Sequence, residues 1–203
     1  NERKLKQNPE WNNTNKLINI YGIAFGMNLL HSHKISHPNL NPKNIFIDDL
    51  FHPKLGEIGF FIQPQNSKKA SSCSSSQIIF SQFYLAPEIL ESKQSTMKSD
   101  VYSFAFIVYE IMANEIPFED ISNPGQIIYK IVNQCYRPKF NESIPEVYCH
   151  LIENCWLQNP DERPSFADII NELENNSDFI TDDVNKENYI NYRKFVNNQS
   201  HDE

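Results

Sequence analysis

Asp100 to Ala113 is apolar nearly all round, interrupted only at a few positions such as Glu110. A helix of that kind has no face to give to water and belongs at the centre of a core built from other elements. Its longest apolar run, Phe104 to Ala113, is too short to cross a bilayer, which takes about 20 residues. A mainly α domain organised around one buried helix is therefore expected, and 203 residues suffice for its core.

The flanking patterns supply the other layers. Leu17, Ile20, Tyr21, Ala24, Met27 and Leu30 recur at helical spacing to about His33, with Asn13 or Thr14 as the expected N-cap. Ile45-Phe46-Ile47 and Pro53-Lys54-Leu55 read as a short hairpin turning near Asp48-Asp49. Three more helices are expected over Gly125–Asn133, Pro145–Leu157 and Ser165–Glu174, punctuated by Pro138, Pro160 and Pro164. Residues 60–83 are polar and rich in serine, including Ser67, Ser71, Ser76 and Ser81, and read as a mobile segment. From Ser177 the chain is acidic and rich in Asn, though Tyr189, Ile190, Tyr192, Phe195 and Val196 fit a weak amphipathic helix packing on the domain.

Five motifs follow one another in a set order. The first is His37-Pro38-Asn39-Leu40-Asn41-Pro42-Lys43-Asn44. Lys54-Leu55-Gly56-Glu57-Ile58-Gly59 comes next, then Tyr84-Leu85-Ala86-Pro87-Glu88. Ser99-Asp100-Val101-Tyr102-Ser103-Phe104-Ala105 opens the buried helix, and Cys155-Trp156, Pro160, Arg163-Pro164 and Phe166 close the series. Together they resemble the catalytic loop H-R-D-L-x-x-x-N, the D-F-G segment, the A-P-E end of the activation segment, and the later helices of eukaryotic protein kinases. The closing block resembles tyrosine kinases and the tyrosine-kinase-like group. The resemblance covers roughly residues 10–175 and implies the carboxy-terminal helical lobe of a protein kinase with its short β-hairpin. No Gly-rich loop, ATP-clamping Lys or partner Glu precedes these motifs, so the amino-terminal lobe is expected to be absent from the chain. The expected division is a lobe over 1–176 and a polar acidic tail over 177–203.

The resemblance also locates the chemistry, and much of it is altered. Asn39 stands where the catalytic Asp is expected, and an amide cannot take the substrate proton; losing a positioned general base costs about 10²- to 10⁴-fold. Asn41 stands where many serine/threonine kinases carry a Lys that steadies the transferred phosphate. Asn44 matches a metal ligand, and Glu57 keeps the carboxylate of the second one on an arm longer by one methylene. Magnesium is strict about geometry, so weakened metal binding is expected. Phe46 matches the adenine floor. Pro38 replaces the Arg that would pair with a phosphate on the activation segment, where Ser81 is a candidate site. His37, Glu88, Asp100 and Arg163 match residues that hold the lobe together.

The net charge of −8 argues against nucleic acid and anionic membranes as partners. The four cysteines show no C-x-x-C pairing and read as reduced thiols of a cytoplasmic protein. His31, His33 and His37 read as a helix end and a packed loop histidine, not as a metal site. The functional expectation is a pseudokinase acting on protein partners as a signalling scaffold or allosteric element. A low-activity serine/threonine kinase using ATP and Mg²⁺, and a truncated non-functional fragment, are the alternatives.

Overall fold

The computed structural model describes residues 11–58, 82–92, 95–118 and 123–199. Gly59, Ser81 and nearly all of the Ser-rich stretch lie outside them. Helix α1 (Asn13–Ser32) leads into a 3-10 turn (Pro42–Asn44) and the hairpin β1 (Ile45–Ile47) and β2 (Pro53–Leu55). Helices α2 (Pro87–Ser92), α3 (Met97–Ala113), α4 (Pro124–Gln134), α5 (Glu146–Cys155), α6 (Phe166–Asn175) and α7 (Lys186–Gln199) follow. The fold is mainly α, with one two-stranded antiparallel sheet among the described residues.

Helix α3 is the central element. Its start is set by a capping box, in which Thr96 and Ser99 each accept the other's backbone N–H. Its end is set by Asn114, whose left-handed backbone (φ 55°) stops the helix. Between these caps nearly every side chain is buried, from Val101 and Phe104 to Val108 and Met112. Phe106 and Tyr109 meet Trp156 at centroid distances of 5.5 and 6.3 Å, which seats α5 on one flank. Phe104 meets Phe166 edge-on at 5.3 Å, which seats α6 on another.

Helix α1 packs on α3, α6, α7 and the hairpin. Its cap is Asn12, whose side chain accepts from Asn15 N–H, one residue before the earliest expected cap. An Asx side chain reaches the N3 amide only from that position. The hairpin pairs Ile45 with Leu55, Phe46 with Lys54 and Ile47 with Pro53. Asp48 Oδ1 accepts from the N–H groups of Leu50 and His52 at 3.0 and 2.9 Å, so the turn is an Asx turn. Strand alternation sends Phe46 outward and Ile45 and Ile47 inward.

One expectation needs correction: the polar stretch does not run to residue 83, because Phe83 is buried in a 3-10 turn (Gln82–Tyr84) and packs on Ile127 and Ile131. The helix expected after Ser177 is α7, and it packs on α1. Phe179 and Tyr189 are fully buried in the main core, and Tyr21 meets Tyr189 edge-on at 5.8 Å. Tyr21 Oη also donates to Glu174 at 2.7 Å, and Arg193 pairs with the same carboxylate at 3.2 Å. No helix among the described residues is long and apolar enough to cross a membrane.

Candidate active site

The segment 37–44 is held from below by α3. Asp100, in the first turn of α3, is buried and receives two bonds on Oδ2 at 2.8 Å, from His37 N–H and from His31 Nε2. Burial raises the Asp100 carboxyl above its ordinary value, against the opposing pull of these two donors. Asp100 thus braces the loop as the sequence implies. His31 is a third member of the brace that the sequence does not reveal, since 69 residues separate it from Asp100.

His37 is buried and its ring links two segments. Nδ1 accepts from Asn39 N–H at 3.3 Å, which leaves Nε2 to donate to Gly56 O at 3.0 Å. One imidazole therefore fixes the distance between the loop and the Gly56-Glu57 segment, in a neutral tautomer with the proton on Nε2. The three Asn residues form a closed amide knot above it. Asn41 Nδ2 donates to both the carbonyl and the side-chain oxygen of Asn39 at 2.9 Å, and Asn41 Oδ1 accepts from Lys43 N–H at 3.0 Å. Asn44 Nδ2 donates to Asn39 O at 2.8 Å.

Asn41, which carries no charge, is buried: it caps the 3-10 turn and donates to the side-chain oxygen of Asn39. Asn39 offers no general base: its Oδ1 already accepts one hydrogen bond and its Nδ2 is a donor.

Asn44 and Glu57 meet the first requirement for holding a hard cation, oxygen donors without other engagement. With Nδ2 of Asn44 committed to Asn39 O, its Oδ1 is the atom that remains. Glu57 is exposed and makes no hydrogen bond or ion pair with the described residues. Its backbone is left-handed (φ 57°), a conformation that costs a non-glycine residue about 1 kcal/mol or more. No cluster of three or more His, Cys, Asp or Glu suited to a metal exists among the described residues. Phe46 is 58% exposed, and its ring lies across Gly56, where an added Cβ would overlap it. A flat apolar face is thus open above the hairpin, with the half-exposed Ile58 nearby in sequence.

The remaining braces lie on the far side of the lobe. Arg163, fully buried, makes a bidentate pair with Glu88 at 2.7 and 3.0 Å. It also donates to the carbonyls of Leu157, Lys98 and Gln158 and stacks on Tyr102 at 5.0 Å. This bidentate tie joins the helix that begins at Pro87 to the turn that precedes α6, as the motif order implies.

The protein tyrosine and serine/threonine kinase family model matches residues 2–173. The chain belongs to this kinase family. Receptor-interacting serine/threonine-protein kinase 2 of Bos taurus is 37% identical over 171 residues, covering 76% of this chain and 31% of that protein. The Raf homolog serine/threonine-protein kinase of Caenorhabditis elegans is 31% identical, covering 74% of this chain and 19% of its own length. The serine/threonine/tyrosine-protein kinase HT1 of Arabidopsis thaliana is 30% identical, covering 75% of this chain and 37% of its own length. The kinase chain described here therefore spans well under half of each of these relatives.

Proposed function

We propose that this kinase-family chain serves as a pseudokinase, a signalling scaffold or allosteric partner that works by binding other proteins. One observation carries the reading. At the position of the catalytic carboxylate stands Asn39, whose Oδ1 is already held by Asn41 Nδ2. A hydroxyl substrate placed there meets an amide, which can hydrogen-bond it but cannot take its proton as a base. The braces that shape the lobe, His37–Asp100 and Glu88–Arg163, are intact. A centre whose chemical groups are replaced while its supports remain fits a role in which shape is used and phosphotransfer is not.

A second reading, a low-turnover serine/threonine kinase, is favoured by the orientation of Asn44. Its Oδ1 is free of Asn39, and Glu57 adds a carboxylate. In that reading these two oxygens hold Mg²⁺, and Phe46 supports the purine of ATP. The metal would supply charge neutralisation on the phosphates.

The deciding experiment uses the protein together with whatever native sequence precedes Asn1. Thermal melting is followed with millimolar ATP, with and without Mg²⁺, and phosphotransfer is assayed in the unmodified protein and in Asn39→Asp. The scaffold reading expects no phosphotransfer from either form. Robust transfer by the unmodified protein overturns it. A Mg²⁺-dependent rise in melting temperature, joined to activity in Asn39→Asp about 10² times that of the unmodified protein or more, establishes the low-turnover kinase instead.

A further inference from the structure

Helix α7 (Lys186–Gln199) lies beyond the stretch matched by the kinase family model, yet it packs on α1 and reaches the hairpin. It is rooted in the core, since Tyr189 is fully buried and the Arg193 guanidinium lies over the rings of Tyr21 and Tyr189. Two other aromatic side chains of α7 meet the residue that leads into β2. The Tyr192 ring lies 4.6 Å from the His52 ring, and the Phe195 ring lies 6.0 Å from it. Tyr192 Oη also converges with Pro53 on Gly22 of α1, where an added Cβ would overlap the hydroxyl and lie 2.6 Å from Pro53 Cγ. One turn further along α1, a Cβ on Gly26 would lie 2.9 Å from Leu55 Cδ1. Strand β2 is thus seated in a groove of α1 and held at its start by α7.

We propose that Tyr192 and Phe195 are positioning residues for the candidate active site, acting through His52 and β2 on the Gly56-Glu57 segment. Strand β2 (Pro53–Leu55) carries the chain from His52 to Gly56, about 13 Å of extended backbone. An extended strand has little slack, so holding His52 sets where Gly56 and Glu57 emerge. At that end Gly56 N–H donates to Asn44 O at 2.8 Å, and Gly56 O accepts from His37 Nε2 at 3.0 Å. A two-stranded hairpin is marginally stable by itself, so packing against α1 and α7 decides where this one sits. The backbone of His52 is tied into the turn, its N–H donating to Asp48 Oδ1 at 2.9 Å and its carbonyl accepting from Asp48 N–H at 3.1 Å. The ring is therefore the part of His52 that answers to α7. The coupling concerns where Glu57 is placed and is independent of whether that carboxylate meets a metal.

The test uses the full 203-residue chain and follows amide hydrogen exchange by NMR, comparing Gly56 with Ile107 in the core of α3. A variant that weakens a contact speeds exchange at every amide whose opening breaks that contact. His52→Ala should therefore speed Gly56 by about two- to tenfold, the worth of one aromatic pair. His52→Phe keeps a ring against Tyr192 and should return Gly56 to within about twofold of the unmodified chain. Ile152→Val, in the buried core of α5, is the control: it should speed Ile107 and leave Gly56 unchanged, because release of the hairpin leaves α5 packed. Gly56 unchanged in His52→Ala while Ile107 accelerates would reduce the contact to a cover for the core and overturn the proposal. Acceleration of Gly56 by Ile152→Val, no recovery in His52→Phe, or an unprotected Gly56 amide in the unmodified chain would each overturn it too. Should His52→Ala fail to fold, Phe195→Ala, at a half-exposed ring, carries the same expectation for Gly56.

Discussion

Removing Glu88 probes the tie on which the far side of the lobe depends. Arg163 has no exposed side-chain surface, whereas Glu88 is 23% exposed. Glu88→Ala leaves a buried guanidinium with three carbonyl partners and no counter-charge. Breaking a fully buried pair from one side costs about 3–5 kcal/mol. The retained carbonyls and the partial exposure of Glu88 bring the expectation to the lower bound, about 3 kcal/mol. For a domain of this size that lowers the melting temperature by about 6–12 °C. Glu88→Gln loses the same charge, keeps one acceptor and sets an amide donor against the other guanidinium nitrogen, so a loss close to that of Glu88→Ala is expected. Urea denaturation and thermal melting of both variants check both losses. A loss below about 1 kcal/mol for Glu88→Ala, or a loss for Glu88→Gln well under half of it, would refute the claim that charge compensation of Arg163 dominates at this site.

Two further perturbations address the tail and the helix caps. A Cβ on Gly22 overlaps Tyr192 Oη and lies 2.6 Å from Pro53 Cγ, so Gly22→Ala should destabilise by about 2 kcal/mol despite its gain in helix propensity. Adding Tyr192→Phe should recover part of that loss in denaturant titrations; stabilisation by Gly22→Ala alone would contradict the close approach. At α6, the hydroxyl and N–H of Ser165 donate to Asp168 and hold its carboxyl below the ordinary value. The folded value is the lower one, so this contribution is complete above the ordinary Asp value of about 3.9 and is lost as pH falls through the folded value. The melting temperatures of the unmodified chain and Asp168→Asn should therefore differ at pH 6 and converge in acid, and a constant gap across that range would exclude the linkage.

Helical periodicity was enough to find α1, and an apolar run with no polar face was enough to find α3, while prolines bounded α4, α5 and α6 within a few residues. The tie of Arg163 to Glu88 and the brace of Asp100 under His37 were legible through motif order. What escaped notice were contacts set by tertiary geometry. The role of His31 depends on α1 and α3 crossing beside one carboxylate. The bond from Asn41 to Asn39 depends on how the loop closes, which no motif spacing shows. Phe83 ends a polar run and gives no periodic signal, yet α4 provides it with a buried partner in Ile131. The adjoining Ser81 and Gly59 lie outside the described residues.

The two ends of the lobe meet: Thr14 Oγ1 accepts from Asn185 N–H across 171 positions, and Tyr21 bonds Glu174 across 153. Synthesis is vectorial, so α1 leaves the ribosome long before the strip that covers it exists. At about 10 residues per second the interval is on the order of 15 s, far longer than helix formation or hydrophobic collapse takes. During that time the Tyr21–Gly22 face of α1 is bare, and the nascent chain has an apolar seam that invites chaperones or its own neighbours. A stop codon placed before α7 would turn that passing exposure into a permanent one.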